Sequence, residues 1–408
     1  MSRDTIGFIV PTFNRATMIG DTLDAILRQA RPHDVVLVAN DGSSDDTAEV
    51  VAGYGPRVRM LSLENGGKSR ALNHALATLD TEWVWICDDD DILADGAVDA
   101  LIAAATRTGG DFVFGSFGRF QDGQPPSGAL GPGYWPKLDR GTIDRHLLED
   151  FFIFQNASLV RRALYQRAGA FDETLPRSID YDMALRLSAL SDPVFVDRDI
   201  FYQRQHSGLR GPSSHRHSAE DMVSVWTETD IQIFARFRDD ATLPRFEAPY
   251  QAGESWERAR AGRLLRATVM ARHGHLEQAR RDWHAASSIR PNMLLSRVER
   301  ETLGRVLAGK FNAAQAPTPH LMTMLRAMQS GSALEQQMAA AIVSGGMWRM
   351  RHGDGDYRAS QLALMREGNR SLAASGLDYV MKKIAPGDRP SALGERSATI
   401  VTVPESVA

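Results

Sequence analysis

Four consecutive aspartates, Asp88 to Asp91, follow directly on the apolar run Trp83–Cys87. Like charges packed side by side repel, so something must offset the arrangement: a bound cation, a solvated helix start, or a water-exposed acidic turn. Side chains two apart on an extended segment share a face, so Asp88 and Asp90 can address one divalent ion. Their hard oxygen donors suit Mn2+ or Mg2+, with phosphates of a bound nucleotide completing the shell. An EF-hand loop is excluded, because Ile92 stands where its third acidic ligand belongs. Asp91, with Asp95 as competitor, is placed to cap a helix expected over Ala97–Ala105.

Three further segments carry usable groups. "NGGKS" (Asn65–Ser69) lacks the glycine that a P-loop needs five positions before Gly67, where Ser62 stands instead. It remains a Gly-rich turn opening a helix with Lys68 and Arg70 beside it, suited either to a phosphate-bearing ligand or to an ordinary strand–helix turn. Asp180 and Asp182 flank Tyr181 at a helix start, where the helix dipole favours a carboxylate and where a general base can stand. His206, in "RQHSG", sits at the end of an apparent last strand and acts as a ligand only in company.

The elements that must position these groups alternate strand and helix. Apolar runs at Ile6–Val10, Asp34–Ala39, Val58–Leu63 and Trp83–Cys87 predict strands, and the intervening helical periodicities predict a βαβαβαβ order. That order implies a mainly parallel sheet flanked by helices, with ligands outside the carboxyl ends of the strands. "PTFNR", "NDGSSDD" and "DDDD" lie at three such ends and should converge. After about Pro212 strand signals give way to helical ones. "GRLLRATVMARHGHLEQARRDWHAASSIRPN" resembles a single tetratricopeptide-like hairpin, with Ala267, Gly274, Ala279, Trp283, Ala286 and Pro291 at its small, bulky and terminating positions. The expected organisation is an α/β domain over 1–212, a helical domain over 213–316, further helices over 317–385 and a flexible tail over 386–408.

Composition narrows the function classes. The 408 residues carry a net charge of −4 and are 43% hydrophobic and 24% charged, a balance that argues against a nucleic-acid partner. A lone cysteine, Cys87, leaves no intramolecular disulfide or multi-cysteine metal site and favours a reducing compartment. No apolar run reaches a membrane-spanning length, and "TIGFIVPTFNR" enters a strand where a signal peptide would begin. The expected location is cytoplasmic, free or peripheral at the inner face of the membrane. Residues 254–310 hold 12 Lys/Arg against 6 Asp/Glu. This excess is expected to be a solvated helix face; the sharper alternative is a surface for anionic lipid or glycan.

Taken in order, "FIVPTFNR", "VVLVANDGSSDDT", "NGGKSRALNHAL", "WVWICDDDDIL", "RRALYQRAGAFDETLPRSIDYDMALRL" and "YQRQHSG" resemble the inverting family 2 glycosyltransferases of GT-A fold. The resemblance covers roughly residues 5 to 210 and leaves the C-terminal half undescribed. It implies that Pro11, Thr12 and Arg15 line a nucleotide pocket, that Asp41 and Gly42 meet the base and ribose, and that Lys68 lies near the nucleotide. It sets Asp88 toward the ribose and Asp90 on the metal, with His206 near the metal or diphosphate, and leaves Asp89 pointing away. Asp180 matches the catalytic base, although Ile179 replaces the Glu that often precedes it, so Asp182 stays in competition. The implied reaction is one in-line displacement from a nucleotide sugar, expected to be UDP-linked, to a hydroxyl of a glycan, lipid-linked or protein acceptor. The helical region is left to peripheral membrane contact or homodimerisation. Two alternatives stay open: a catalytically inactive scaffold, and a sugar-phosphate nucleotidyltransferase, whose Gly-rich signature "PTFNRAT" replaces.

Overall fold

The computed structural model describes residues 5–131, 135–205, 219–307, 319–352 and 391–402, with backbone alone for 219–224 and 347–352. The chain divides into two compact units. Unit 1 comprises Met1–Leu138, Phe151–Val225 and Ala398–Ala408; unit 2 comprises Asp139–Asp150 and Trp226–Ser397.

In chain order the strands are β1 (Ile6–Thr12), β2 (Val35–Asn40), β3 (Arg59–Ser62), β4 (Trp83–Ile86), β5 (Ile92–Leu93), β6 (Phe112–Gln121), β7 (Ser158–Arg161), β8 (Val194–Gln205), β9 (Tyr250–Gln251), β10 (Gly394–Glu395) and β11 (Thr399–Val401). Unit 1 holds one sheet in the order β11-β8-β6-β7-β4-β1-β2-β3, with β5 paired to β8 off that path. β1 is buried along its whole length, as a central parallel strand covered by helices on both faces must be. The pairs β1–β2, β1–β4, β2–β3, β6–β8 and β8–β11 are parallel. The sheet is nonetheless mixed. β7 runs antiparallel between β4 and β6, and β5 runs antiparallel to β8.

The helices follow the apolar spacing. In Ile19–Gln29 the inward stripe is Ile19, Thr22, Leu23, Ala25 and Ile26. In Ala97–Thr108 alanines 97, 100, 104 and 105 allow close approach to the sheet, and the N-cap is Gly96 in the left-handed region, so neither Asp91 nor Asp95 caps it. The core runs continuously from Phe8, Val10 and Val38 through Trp85 to Val113 and Val196. Phe8 and Trp85 stack at 5.8 Å across the β1–β4 pair.

The C-terminal stretch departs from expectation. Residues 399–401 form β11 on the edge of the unit 1 sheet, while β10 pairs with β9 in unit 2, so the described part of 386–408 is built structure rather than a loose tail. Periodicity could not show this, because a three-residue strand gains its hydrogen bonds from a partner two hundred residues away.

Unit 2 is helical. Ser255–Arg272 and Leu276–Ser288 form a hairpin turned at Gly274, whose φ of +82° lies where a side chain is strained. Ala267, Ala279, Trp283 and Ala286 are buried there. The expectation of a solvated basic face is corrected. Arg260, Arg266 and Arg272 are buried and paired with Glu299, Asp282 and Asp150 respectively. Much of the basic excess is therefore internal, matched by carboxylates that include residues far away in sequence. Glu149 shows the effect: burial works against its charge, but Arg305, Arg145 and Arg272 hold its pKa down at about 2.

Candidate active site

The parallel register of β2, β1 and β4 brings Asn40–Asp41, Pro11–Thr12 and Cys87–Asp88 to one edge of the sheet. Two loops there contain non-glycine residues with positive φ, Asn14 and Ser178, both at 54°. Such conformations persist where the surroundings over-determine them. Asn14 is held by Ser43 and Ser44, its N–H donating to Ser43 Oγ at 3.0 Å and its Oδ1 accepting from Ser44 N at 2.8 Å.

Asp41 acts on the neighbouring turn. Its Oδ1 and Oδ2 accept the N–H groups of Gly66 and Gly67, each at 2.8 Å, and its carbonyl accepts from Asn65 Nδ2 at 2.9 Å. The carboxylate thus fixes the Gly-rich turn that starts helix Lys68–Thr78. Gly42 is needed beside it. Its φ is +76°, and a Cβ there would lie 2.8 Å from Asn65 N.

The four aspartates separate into distinct environments. Asp88 is ion-paired with Lys68 Nζ, and its N–H donates to Asn156 Oδ1 at 3.1 Å. Burial alone would lower the Lys68 pKa, but Asp88, then Asp180 and Asp89, raise it and keep the ammonium charged. Asp89 does not point away, contrary to expectation. It is buried with Oδ1 3.4 Å from Arg15 Nε. Desolvation and the adjacent Asp90 charge push its pKa up to about 7, against the opposing pull of Thr12 and Arg15. Asp91 is buried and structural: Asn156 Nδ2 donates to Oδ2, and Arg204 N–H donates to Oδ1 at 2.9 Å. Asp90 is half-buried, and its carbonyl accepts from Arg204 Nε at 2.9 Å.

Asp180 and Asp182 also separate. Asp180 stands on helix Ile179–Ser188 at the head of the i, i+3, i+4, i+7 stripe continued by Met183, Ala184 and Leu187, all of which line one small cavity. Burial raises its pKa and Lys68 opposes the rise. Asp182 is buried and clamped by Arg186, with Nη2 at 2.6 Å and Nε at 3.0 Å from Oδ2. Arg186 in turn donates to Ala168 O at 2.7 Å. The structure therefore groups Lys68, Asp88 and Asp180, and gives Asp182 a separate job joining two helices.

His206 lies outside the described residues. Among the described residues, no group of three or more His, Cys, Asp or Glu is placed to hold a metal ion. The donor set fits a different mode, in which one or two carboxylates, Asp90 with Asp88 beside it, share an ion with substrate phosphates and water. Two residues that sequence reasoning missed assemble the acidic edge. Asn156 ties Asp88 to Asp91. Arg204 binds the Asp90 carbonyl, Asp122 at 2.8 Å and Asp21 at 2.7 Å. Both come from outside the βαβ repeat; Asn156 belongs to no local motif, and Arg204 stands in "RQHSG", where attention fell on His206.

Fold and site together define an α/β domain whose parallel strand ends enclose an acidic cleft with one paired lysine. Residues 8–168, all in unit 1 except Asp139–Asp150, match the family described as glycosyl transferase family 2. The chain is similar to an uncharacterized glycosyltransferase of Rickettsia felis, with 22% identity over 226 residues covering 54% of this chain and 37% of the relative. It is also 30% identical over 188 residues to a chondroitin synthase of Pasteurella multocida, covering 45% of this chain and 19% of the synthase. The matched region thus spans little more than a third of the first relative and less of the second. Among solved structures, S. aureus TarS 1–349 in complex with UDP-GlcNAc aligns with a TM-score of 0.49 and 17% identity, covering 93% of this chain and 92% of that one.

Proposed function

We propose that unit 1 transfers a sugar from a nucleoside-diphosphate donor, UDP-linked by the sequence resemblance, to a hydroxyl acceptor with inversion. The observation that carries this is the convergence of Lys68, Asp88 and Asp180 at the strand ends of a segment matching a glycosyltransferase family. The similarity to a chondroitin synthase favours a glycan acceptor and a place in polysaccharide biosynthesis.

Pro11, Thr12 and Arg15 form one wall of the nucleotide site. Gly42 and the turn shaped by Asp41 form another, so Asp41 acts chiefly through the loop it organises. Lys68 lies against Asp88 and contributes positive charge where a diphosphate departs. Mn2+ or Mg2+ would be held by Asp90 with Asp88 and, on sequence grounds, His206; when bound, it supplies Lewis-acid stabilisation of the leaving diphosphate. Asp180 is the base. Its carboxylate takes the acceptor hydroxyl proton while the oxygen forms its bond to the anomeric carbon and the bond to the diphosphate breaks. Burial favours protonated Asp180, which raises its basicity for that step.

Calorimetric titration of UDP and GDP tests the donor side. Binding strengthened by Mn2+ in the wild type, with the strengthening lost in Asp90→Asn, is the expected result. No binding of either nucleotide, with or without Mn2+, overturns the proposal. Among the described residues, no helix is long and apolar enough to cross a membrane.

A further inference from the structure

Two helices deliver the groups on which the proposed reaction depends. Lys68 is the first residue of helix Lys68–Thr78, and Asp180 stands in the first turn of helix Ile179–Ser188. The two groups act on each other electrostatically, so their separation matters to both. Neither helix sets that separation alone. The segment 169–178 leads into the second helix, and side chains of both helices fasten it.

The main fastening is an amide on the helix that begins with Lys68. Asn73 Nδ2 donates to Phe171 O at 3.0 Å, and Asn73 Oδ1 accepts the Phe171 N–H at 2.7 Å. Only a carboxamide offers a donor and an acceptor side by side for such a two-point bond. Asn73 Nδ2 also donates to Glu173 Oε1 at 2.8 Å. One turn nearer Lys68, on the same helix face, Ser69 Oγ donates to Asp172 O at 3.1 Å. Phe171 and Leu175 are buried and hold the segment against the domain. Arg186, on the helix that carries Asp180, grips the start of the segment through Ala168 O at 2.7 Å. The segment then ends at Ser178, whose φ of 54° persists only where its surroundings fix it.

We propose that Asn73 is a positioning residue for the transfer: its two-point bond to Phe171, with Ser69 beside it, sets Asp180 at the distance from Lys68 and the donor that proton removal requires. The amide is committed to the segment, so its effect on the reaction comes through Asp180. Neutral hydrogen bonds of this kind contribute modestly to folding. Their loss leaves a folded domain with a misplaced base, and a misplacement of about 1 Å costs about tenfold to a hundredfold in rate. This inference rests on the transferase reading, in which Asp180 is the base.

The test uses Asn73→Leu, which removes both sides of the amide, and Asn73→Asp, which keeps the acceptor for the Phe171 N–H but loses the donated bonds. Arg31→Met is the control. It cuts hydrogen bonds to Asp34 just before β2 begins, at the opposite end of the parallel strands from the site. Nucleoside diphosphate release is measured with UDP- and GDP-sugars in Mn2+ and a saccharide panel, and UDP and GDP binding by calorimetry. In Asn73→Leu kcat should fall about tenfold to a hundredfold, with a smaller fall in Asn73→Asp. Donor KM and nucleotide Kd should stay within about twofold of wild type in both, the mark of an interaction felt only in the transition state. Arg31→Met should keep the wild-type kcat. Wild-type kcat in Asn73→Leu, or an equal loss in Arg31→Met, overturns the proposal while leaving the transferase reading standing. So does a fall in kcat matched by an equal loss of nucleotide affinity. If Asn73→Leu does not fold, Asn73→Asp decides by the same criteria. A wild type that releases no nucleoside diphosphate from any donor overturns the transferase reading, and this inference with it.

Discussion

Asp89→Asn gives the sharpest test of how the acidic edge is organised. Asp89 is buried between Arg15 and the other aspartates, and its pKa stands at about 7 against an ordinary 3.8. A carboxyl that binds its proton more tightly folded than unfolded supports the fold while protonated. That support is complete below pH 3.8 and is lost as pH rises through about 7. At 1.36 kcal/mol per pH unit, the rise from 3.8 to about 7 corresponds to about 4 kcal/mol. Asparagine mimics the neutral carboxyl at all pH values. The stability gained by Asp89→Asn should therefore be near zero at pH 4 and grow toward about 4 kcal/mol by pH 8. Urea unfolding followed by tryptophan fluorescence, with EDTA present so that no cation neutralises the site, measures the difference. A difference that does not change with pH, or a variant less stable than wild type at pH 8, refutes the reasoning.

Other predictions follow from single contacts. Glu299→Leu leaves Arg260 charged and unpaired in a fully buried position and should cost about 3–5 kcal/mol in chemical unfolding. Gly42→Ala forces a side chain into positive φ and against Asn65 N, and should lose about 1–3 kcal/mol; an unchanged melting temperature would contradict the described turn. The transfer rate should rise with pH as Asp180 ionises, with its acid limb displaced above the ordinary carboxylate range because burial favours the protonated form. A limb at or below that range would count against Asp180 as the base.

The sequence made the central parallel strands legible because each is a short apolar run closed by polar turn residues. Pro11–Thr12, Asp41 and Asp88 could be placed together for that reason alone. Lys68 was legible beside a Gly-rich turn that opens a helix, and the structure makes it that helix's first residue. The pairing of β7 with β4 and β6 was not, since "SLVR" sits amid helical periodicity and gains its strand state from long-range hydrogen bonds. Asp89 was misassigned because alternation along a strand does not survive the turn that follows Cys87. Arg260, Arg266 and Arg272 misled through composition: charge counts cannot tell a solvated arginine from one buried against a carboxylate. Asn156 carried no signal beyond an ordinary amide, and its role depends on which groups the sheet brings opposite it.

The central claim is sugar transfer at the strand-end cleft with Asp180 as base. It is tested most directly by nucleoside diphosphate release from UDP- and GDP-sugars, in Mn2+ with a saccharide panel, comparing wild type with Asp180→Asn. Turnover by the wild type, with a loss of at least about a hundredfold in Asp180→Asn and nucleotide binding retained, is the predicted result. Equal turnover by the two proteins, or none by the wild type with any donor, would contradict the account.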